Sequence, residues 1–297
     1  MSRIQDILSK AERDGTTRRT RGLSDEGVMS PPVAVAPRLP QPAYEPAAPA
    51  VHSWTPAATA AAIEPETSVT TATLDPHLVA ALAPQSLAAE QYRSLRTRIK
   101  RAENGRALRT IVITSPNKGD GKSLTAANLA LTMAQEFQQR VLLIDGDLRR
   151  PAVHTLFGIP EGPGLTDVLM GGAELNQALV NVENHHLTLL PAGAIPSHPA
   201  ELLGSASMRR VLDTLRTRFD RILIDMPPVA PLADLHIVAP MADGLLMIIR
   251  AGVTPRPAIE RALAGLDTAK VLGLVLNESG GNVADTTTYH DYGYVAG

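Results

Sequence analysis

An apolar run at 111–114 leads through Ser115, Pro116, Asn117 and Lys118 into Gly119, Asp120, Gly121, Lys122 and Ser123. This combination suits the binding of a polyphosphate. Glycines at 119 and 121 let backbone amides approach an anion closely, and a helix starting at Lys122 adds its positive N-terminal end. Lys122 is placed to reach β- and γ-phosphates, and Ser123 to ligate Mg2+. The nucleotide-contacting stretch is Asn117, Lys118, Gly119, Asp120, Gly121, Lys122, Ser123 and Leu124. Pro116 stands where the simple motif has its first glycine, so the signal draws its specificity from lying between strand and helix.

Two carboxylate motifs add to it. Asp145, Gly146, Asp147 and Arg149 follow the apolar run 141–144, and Asp225, Met226, Pro227 and Pro228 follow a second run. Acids at the carboxyl ends of parallel strands face the crevice where open α/β sheets bind ligands. Asp225 is the natural acid to organise Mg2+. Asp145 and Asp147 lie two apart, so both come near the γ-phosphate only if the chain leaves strand geometry after Asp145, a turn that Gly146 eases. One strand-end Asp commonly caps a helix, but two in the sheet of a phosphate loop point to ATP chemistry.

Positioning these groups requires alternating strands and helices. Short apolar, β-branched runs predict strands at 110–114, 141–145, 187–191, 221–225, 244–250 and 271–277. Helical patterns fall at 86–103, 122–138, 199–219, 232–241 and 256–268, the last opened by Pro255 and Pro257. The 86–103 helix carries Arg93, Arg96, Arg98, Lys100 and Arg101, which alone read equally as a solvated face.

The remainder of the chain differs in kind. Of its 24 prolines, 11 lie between Pro31 and Pro84, in a stretch dominated by Ala, Pro and Thr that buries too little apolar surface to offset ordering. Residues 15–84 are therefore expected to be a disordered linker. Before it, Ile4, Ile7, Leu8 and Ala11 share one helical face over 1–14, either a docking helix for a partner or a transient helix with none. No cysteine is present, which removes thiol catalysis and cysteine-ligated zinc. The formal charge of -2 gives no sign of a nucleic-acid partner. No run approaches the roughly 18 apolar residues of a membrane span, so a cytoplasmic protein is expected.

Taken together, the motifs resemble those of the bacterial tyrosine kinases of the capsular and exopolysaccharide type, from Glu90 to the C-terminus. Gly119 to Ser123 match that family's phosphate loop. Asp145, Asp147 and Arg149 match its second motif, and Asp225 with Pro228 its third. Glu90, Arg93 and Arg96 match its Glu-x-x-Arg-x-x-Arg oligomerisation motif, and Tyr289, Tyr292 and Tyr294 its C-terminal tyrosine cluster. The resemblance implies an α/β P-loop NTPase fold with a mostly parallel sheet and helices on both faces. It implies a kinase domain at 85–278 and a flexible tail at 279–297. It implies ATP and Mg2+, with Lys122, Asp145, Asp147 and Arg149 catalytic: Asp145 as base on the tyrosine hydroxyl, Arg149 adding charge stabilisation. Ser123, Asp147 and Asp225 would hold the metal and Asn277 would lie near the adenine.

As partners it implies further copies of the chain, a ring among the arrangements open to them, a separate transmembrane chain-length determinant as activator, and a protein-tyrosine phosphatase. The tail's three tyrosines, of five in the chain, are the expected phosphoacceptors, reached more easily from another subunit than from their own. Two other classes stay open. One is a dimeric ATPase switch of the partitioning or division-site type, although its extra lysine five residues before Lys122 is here Asn117. The other is an inert regulatory scaffold, against which Lys122, Asp145 and Asp225 count.

Overall fold

The computed structural model describes residues 67–69, 74–136, 139–229 and 234–278. In chain order these form β1 (Thr67–Val69), α1 (Val79–Leu82), α2 (Leu87–Ala102), β2 (Thr110–Thr114), α3 (Lys122–Ala134) and β3 (Val141–Asp145). Then come α4 (Val153–Leu156), α5 (Leu165–Leu169), α6 (Leu175–Ala178), β4 (Val180–Val182) and β5 (Leu187–Leu190). The chain closes with α7 (Pro199–Leu203), α8 (Ala206–Arg218), β6 (Arg221–Asp225), α9 (Asp234–Val238), β7 (Gly244–Arg250), α10 (Arg256–Ala264) and β8 (Val271–Asn277).

The strands make one sheet in the order β1-β4-β5-β3-β6-β2-β7-β8, and every pairing is parallel except β4 with β5. The central strands are apolar throughout because both faces are covered. Alternation sends Ile111 and Ile113 of β2, Val141 and Leu143 of β3, and Leu223 of β6 into one core with α1 and α3. Their neighbours Val112, Leu142, Ile144, Ile222 and Ile224 enter the other core, with α8, α9 and α10. All are 0% exposed, so the sheet is a rigid base for whatever its strand ends carry.

Six strands and the helix positions expected from sequence are present. The 187–191 strand stops at Leu190, since Pro191 has no amide to donate. The 199–219 helix is two: Ser205 Oγ accepts from the Met208 amide and starts α8 anew, after Gly204 closes α7. The 256–268 helix ends at Ala264, with Gly265 as its cap. Strands β1 and β4 carry too short a pattern to read in advance.

The linker expected to reach residue 84 ends sooner. β1 pairs with β4, and Leu78 and Ala80 are buried, with the Ala80 amide bonded to Asn128 Oδ1 at 3.0 Å. These apolar residues cover the outside of α3, a role that proline-rich composition hides. The 1–14 helix, the linker through residue 66 and the tail at 279–297 lie outside the described residues.

Candidate active site

Parallel pairing brings the carboxyl ends of β2, β3, β6, β7 and β8 to one edge. There Asp145 and Asp225 are direct register partners on β3 and β6, both 0% exposed. Two buried like charges side by side are unfavourable, and the chain answers with one cation. Lys122 Nζ lies 2.9 Å from Asp147 Oδ2, 3.5 Å from Asp225 Oδ1 and 3.1 Å from Ser123 Oγ.

The loop delivering Lys122 is built on backbone conformations that need glycine: φ is +85° at Gly119 and +90° at Gly121. Gly121 is the N-cap of α3 and offers no side-chain cap, whereas Ser86 and Ser205 cap α2 and α8 with their hydroxyls. The first amides of α3 are thus left for an anion. A Cβ at Gly121 would also collide with the Asn277 amide, whose Nδ2 donates to the Asp120 carbonyl at 3.1 Å. Asn277 therefore sits against the phosphate loop. Asp120 is buried beneath it, accepting from the Asn117 amide at 2.8 Å and from Thr254 Oγ1 at 2.7 Å. Lys118 is exposed and Leu124 packs under the loop.

After β3 the chain turns sharply. Gly146 is required for space, not for a left-handed backbone: a Cβ there would meet Met226 Sδ at 2.6 Å. Asp145 Oδ2 accepts from the Ala152 and Val153 amides, each at 2.9 Å, and Oδ1 from the Asp147 amide at 3.2 Å. This caps α4 and presents the Asp147 carboxylate to Lys122, while Oδ1 keeps a free lone pair.

Burial, and then the charge of Asp225, push Asp145 up to about 7. Burial also raises Asp225, against the pull of Lys122. Desolvation works against the Lys122 ammonium, but the charges of Asp225, Asp147 and Asp145 outweigh it and raise its pKa. Asp225 Oδ2 is buried with no hydrogen-bond partner. An orphaned anionic oxygen beside a serine hydroxyl and a second carboxylate suits a hard divalent cation, so Ser123, Asp147 and Asp225 fit Mg2+.

Two expected groups sit elsewhere. Arg149 forms a two-pronged ion pair with buried Asp234, at 2.7 and 3.0 Å, and does not point at Lys122. Asp234 opens α9, and nothing in its sequence setting announced that partnership. On α2, Glu90 pairs with Arg93 at 2.7 Å, and Arg93 also donates to the Pro84 carbonyl. Arg96 donates to the Thr132 carbonyl at 2.6 Å and faces Glu136 at 3.4 Å. This stripe is engaged within its own chain, tying α2 to α3. Tyr289, Tyr292 and Tyr294 lie outside the described residues.

Comparison with known proteins agrees with this geometry. A family described as an AAA domain matches residues 108–261. Tyrosine-protein kinase YwqD of Bacillus subtilis is 39% identical over 220 residues, covering 73% of this chain and 90% of that protein. Tyrosine-protein kinase CpsD of Streptococcus agalactiae is 33% identical, covering 69% and 88%. The solved kinase domain of the Escherichia coli tyrosine kinase ETK superposes with a TM-score of 0.65 at 29% identity, covering 69% of this chain and 80% of that one. With the phosphate loop, the paired strand-end carboxylates and relatives matched over nearly their whole length, the chain belongs to the bacterial tyrosine-protein kinases.

Proposed function

We propose that the protein is an ATP-dependent tyrosine autokinase that phosphorylates Tyr289, Tyr292 and Tyr294 in trans within an oligomer, and thereby regulates capsule or exopolysaccharide polymerisation and export. The observation that carries this reading is Lys122 held between Asp147 and Asp225, one strand away from Asp145.

The free α3 amides and Lys122 bind the β- and γ-phosphates, drawing the ammonium off its carboxylates. Ser123, Asp147 and Asp225 would hold Mg2+, which would supply charge neutralisation to the phosphates. Asp145 takes the proton of the acceptor hydroxyl through Oδ1. With its pKa raised to about 7 it is a stronger base than an ordinary carboxylate, yet still largely ionised above neutrality. Arg149, paired with Asp234, ties the start of α9 to the chain after β3, and Asn277 flanks the adenine.

No helix among the described residues is long and apolar enough to cross a membrane. In this reading the activator is a separate transmembrane chain-length determinant, and a protein-tyrosine phosphatase resets the tail. Full modification adds roughly -5 charges to each subunit, which favours dissociation of the oligomer.

Mixing tests the trans step. A Lys122→Ala chain with its tail intact is incubated with Mg-ATP and a chain carrying Phe at 289, 292 and 294. Phosphate appears on the Lys122→Ala tail; its absence, while the same active chain modifies a free tyrosine peptide, overturns transfer between subunits.

A further inference from the structure

A carboxylate inside a loop that must receive a polyanion is electrostatically out of place, yet Asp120 sits there 3% exposed. Its bonds explain its presence. Oδ2 accepts the Asn117 amide at 2.8 Å, where the loop begins its curve, and Ser115 Oγ donates to the Asn117 carbonyl at 2.7 Å. Oδ1 accepts from Thr254 Oγ1 at 2.7 Å across 134 residues of sequence. Thr254 is itself fixed, since its hydroxyl accepts the Arg250 amide at 3.0 Å and its own amide donates to the Arg250 carbonyl at 2.9 Å. Thr254 is buried as well, at 6% exposure. The Asp120 side chain therefore links the phosphate loop to the exit of β7, and among the described residues its hydrogen bonds run to Asn117 and Thr254.

We propose that Asp120 and Thr254 are positioning residues for nucleotide binding: the Thr254 hydroxyl braces the Asp120 carboxylate, which holds the Asn117 amide and so sets the curvature in which the loop meets the phosphates. Neither side chain touches the nucleotide. Their effect is carried by the loop backbone, and it falls on affinity before turnover, because Lys122, Asp145 and Asp225 are anchored on other elements. The inference rests on reading this loop as the nucleotide site.

The experiment measures binding of a fluorescent ADP with Mg2+ to the full chain, beside the melting temperature without nucleotide. Thr254→Val keeps the volume and removes the brace together with the acceptor of the Arg250 amide; it weakens binding about tenfold, the equivalent of one hydrogen bond of ~1.4 kcal/mol. Thr254→Ser restores the hydroxyl and brings affinity back within about twofold, while all three proteins melt within a few degrees of one another. Asp120→Asn keeps a single acceptor and weakens binding as well. In kinetics the KM for ATP rises and kcat holds. Unchanged affinity in Thr254→Val, or equal loss in Val and Ser, overturns the proposal. So does tighter binding by Asp120→Asn, which would make the carboxylate an electrostatic brake. Failure of the wild type to bind ADP overturns the nucleotide-site reading and this inference together, whereas a binding wild type with an indifferent Thr254→Val overturns this inference alone.

Discussion

At the end of the sheet where its strands begin, cations and acids pair singly near the surface: Arg140 with Asp220 and Arg216 with Asp213. At the opposite end, Asp145, Asp147 and Asp225 are all buried and share the single ammonium of Lys122. Matched, largely solvated pairs contribute little, because water already satisfies each partner. A crowded buried set is different. It carries excess negative charge that an added cation or proton would relieve, so it gives up stability in the free protein that binding of a cation would return.

Removing the shared cation should have the largest effect. Lys122→Met leaves three buried carboxylates uncompensated; unfolding in urea at pH 8 is expected to show a loss of about 3 kcal/mol, smaller at pH 6, where the acids take up protons. Phosphoryl transfer should fall at least ~100-fold, as when one charge-stabilising donor is lost. A Lys122→Met protein as stable as wild type would mean the two ends of the sheet are alike.

The pH dependence comes next. Asp145 has its folded pKa raised from 3.8 to about 7, so between those values the folded state binds the proton and the unfolded state does not. Stability from this group is thus fully present at low pH and is lost as pH rises through about 7, with a slope of up to about 1.4 kcal/mol per pH unit. His185, its pKa lowered by burial and by His186, works in the opposite sense. The difference between wild type and Asp145→Asn isolates Asp145: melting temperatures from pH 5 to 8 should fall more steeply with pH in the wild type. The same slope in both would remove Asp145 from the charge balance.

Asp225→Asn sharpens the contrast further. It removes one of the three buried carboxylates that share Lys122, the one whose Oδ2 has no hydrogen-bond partner, so the free protein should gain about 1 kcal/mol by calorimetry, while the Mg2+-dependent stabilisation by ADP disappears. The smallest effect belongs to the other end. Arg140→Ala breaks a pair whose side chains are 63% and 39% exposed, and should cost under about 1 kcal/mol with phosphoryl transfer unchanged.

Much of this edge was legible in the sequence, because β3 and β6 are continuous apolar runs that end on the candidate carboxylates. Asp145 and Asp225 close their strands as expected, and their adjacency follows once β3 and β6 pair. Gly119 and Gly121 marked the phosphate loop, where the structure shows positive φ at both. The unread partners were those joined by tertiary contact alone. Asp234 lies 85 residues from Arg149, and Thr254 lies 134 from Asp120, so no local spacing reports either pair. The stripe of Glu90, Arg93 and Arg96 was legible as a spacing, but its in-chain partners Pro84, Thr132 and Glu136 depend on how α2 packs against α3. Leu78 and Ala80 were hidden for a related reason: a short buried helix within an Ala- and Pro-rich stretch has too few residues to show a period.

The central claim is that the crowded end of the sheet transfers phosphate to the chain's own tail. Intact-protein mass after incubation with Mg-ATP, with peptide mapping, tests it directly in wild type and Lys122→Met. The account predicts one to three added phosphates on Tyr289, Tyr292 or Tyr294 in the wild type and none in the variant. ATP hydrolysis with no mass increase, even with the activator's cytoplasmic segment added, would contradict it and leave an ATPase switch.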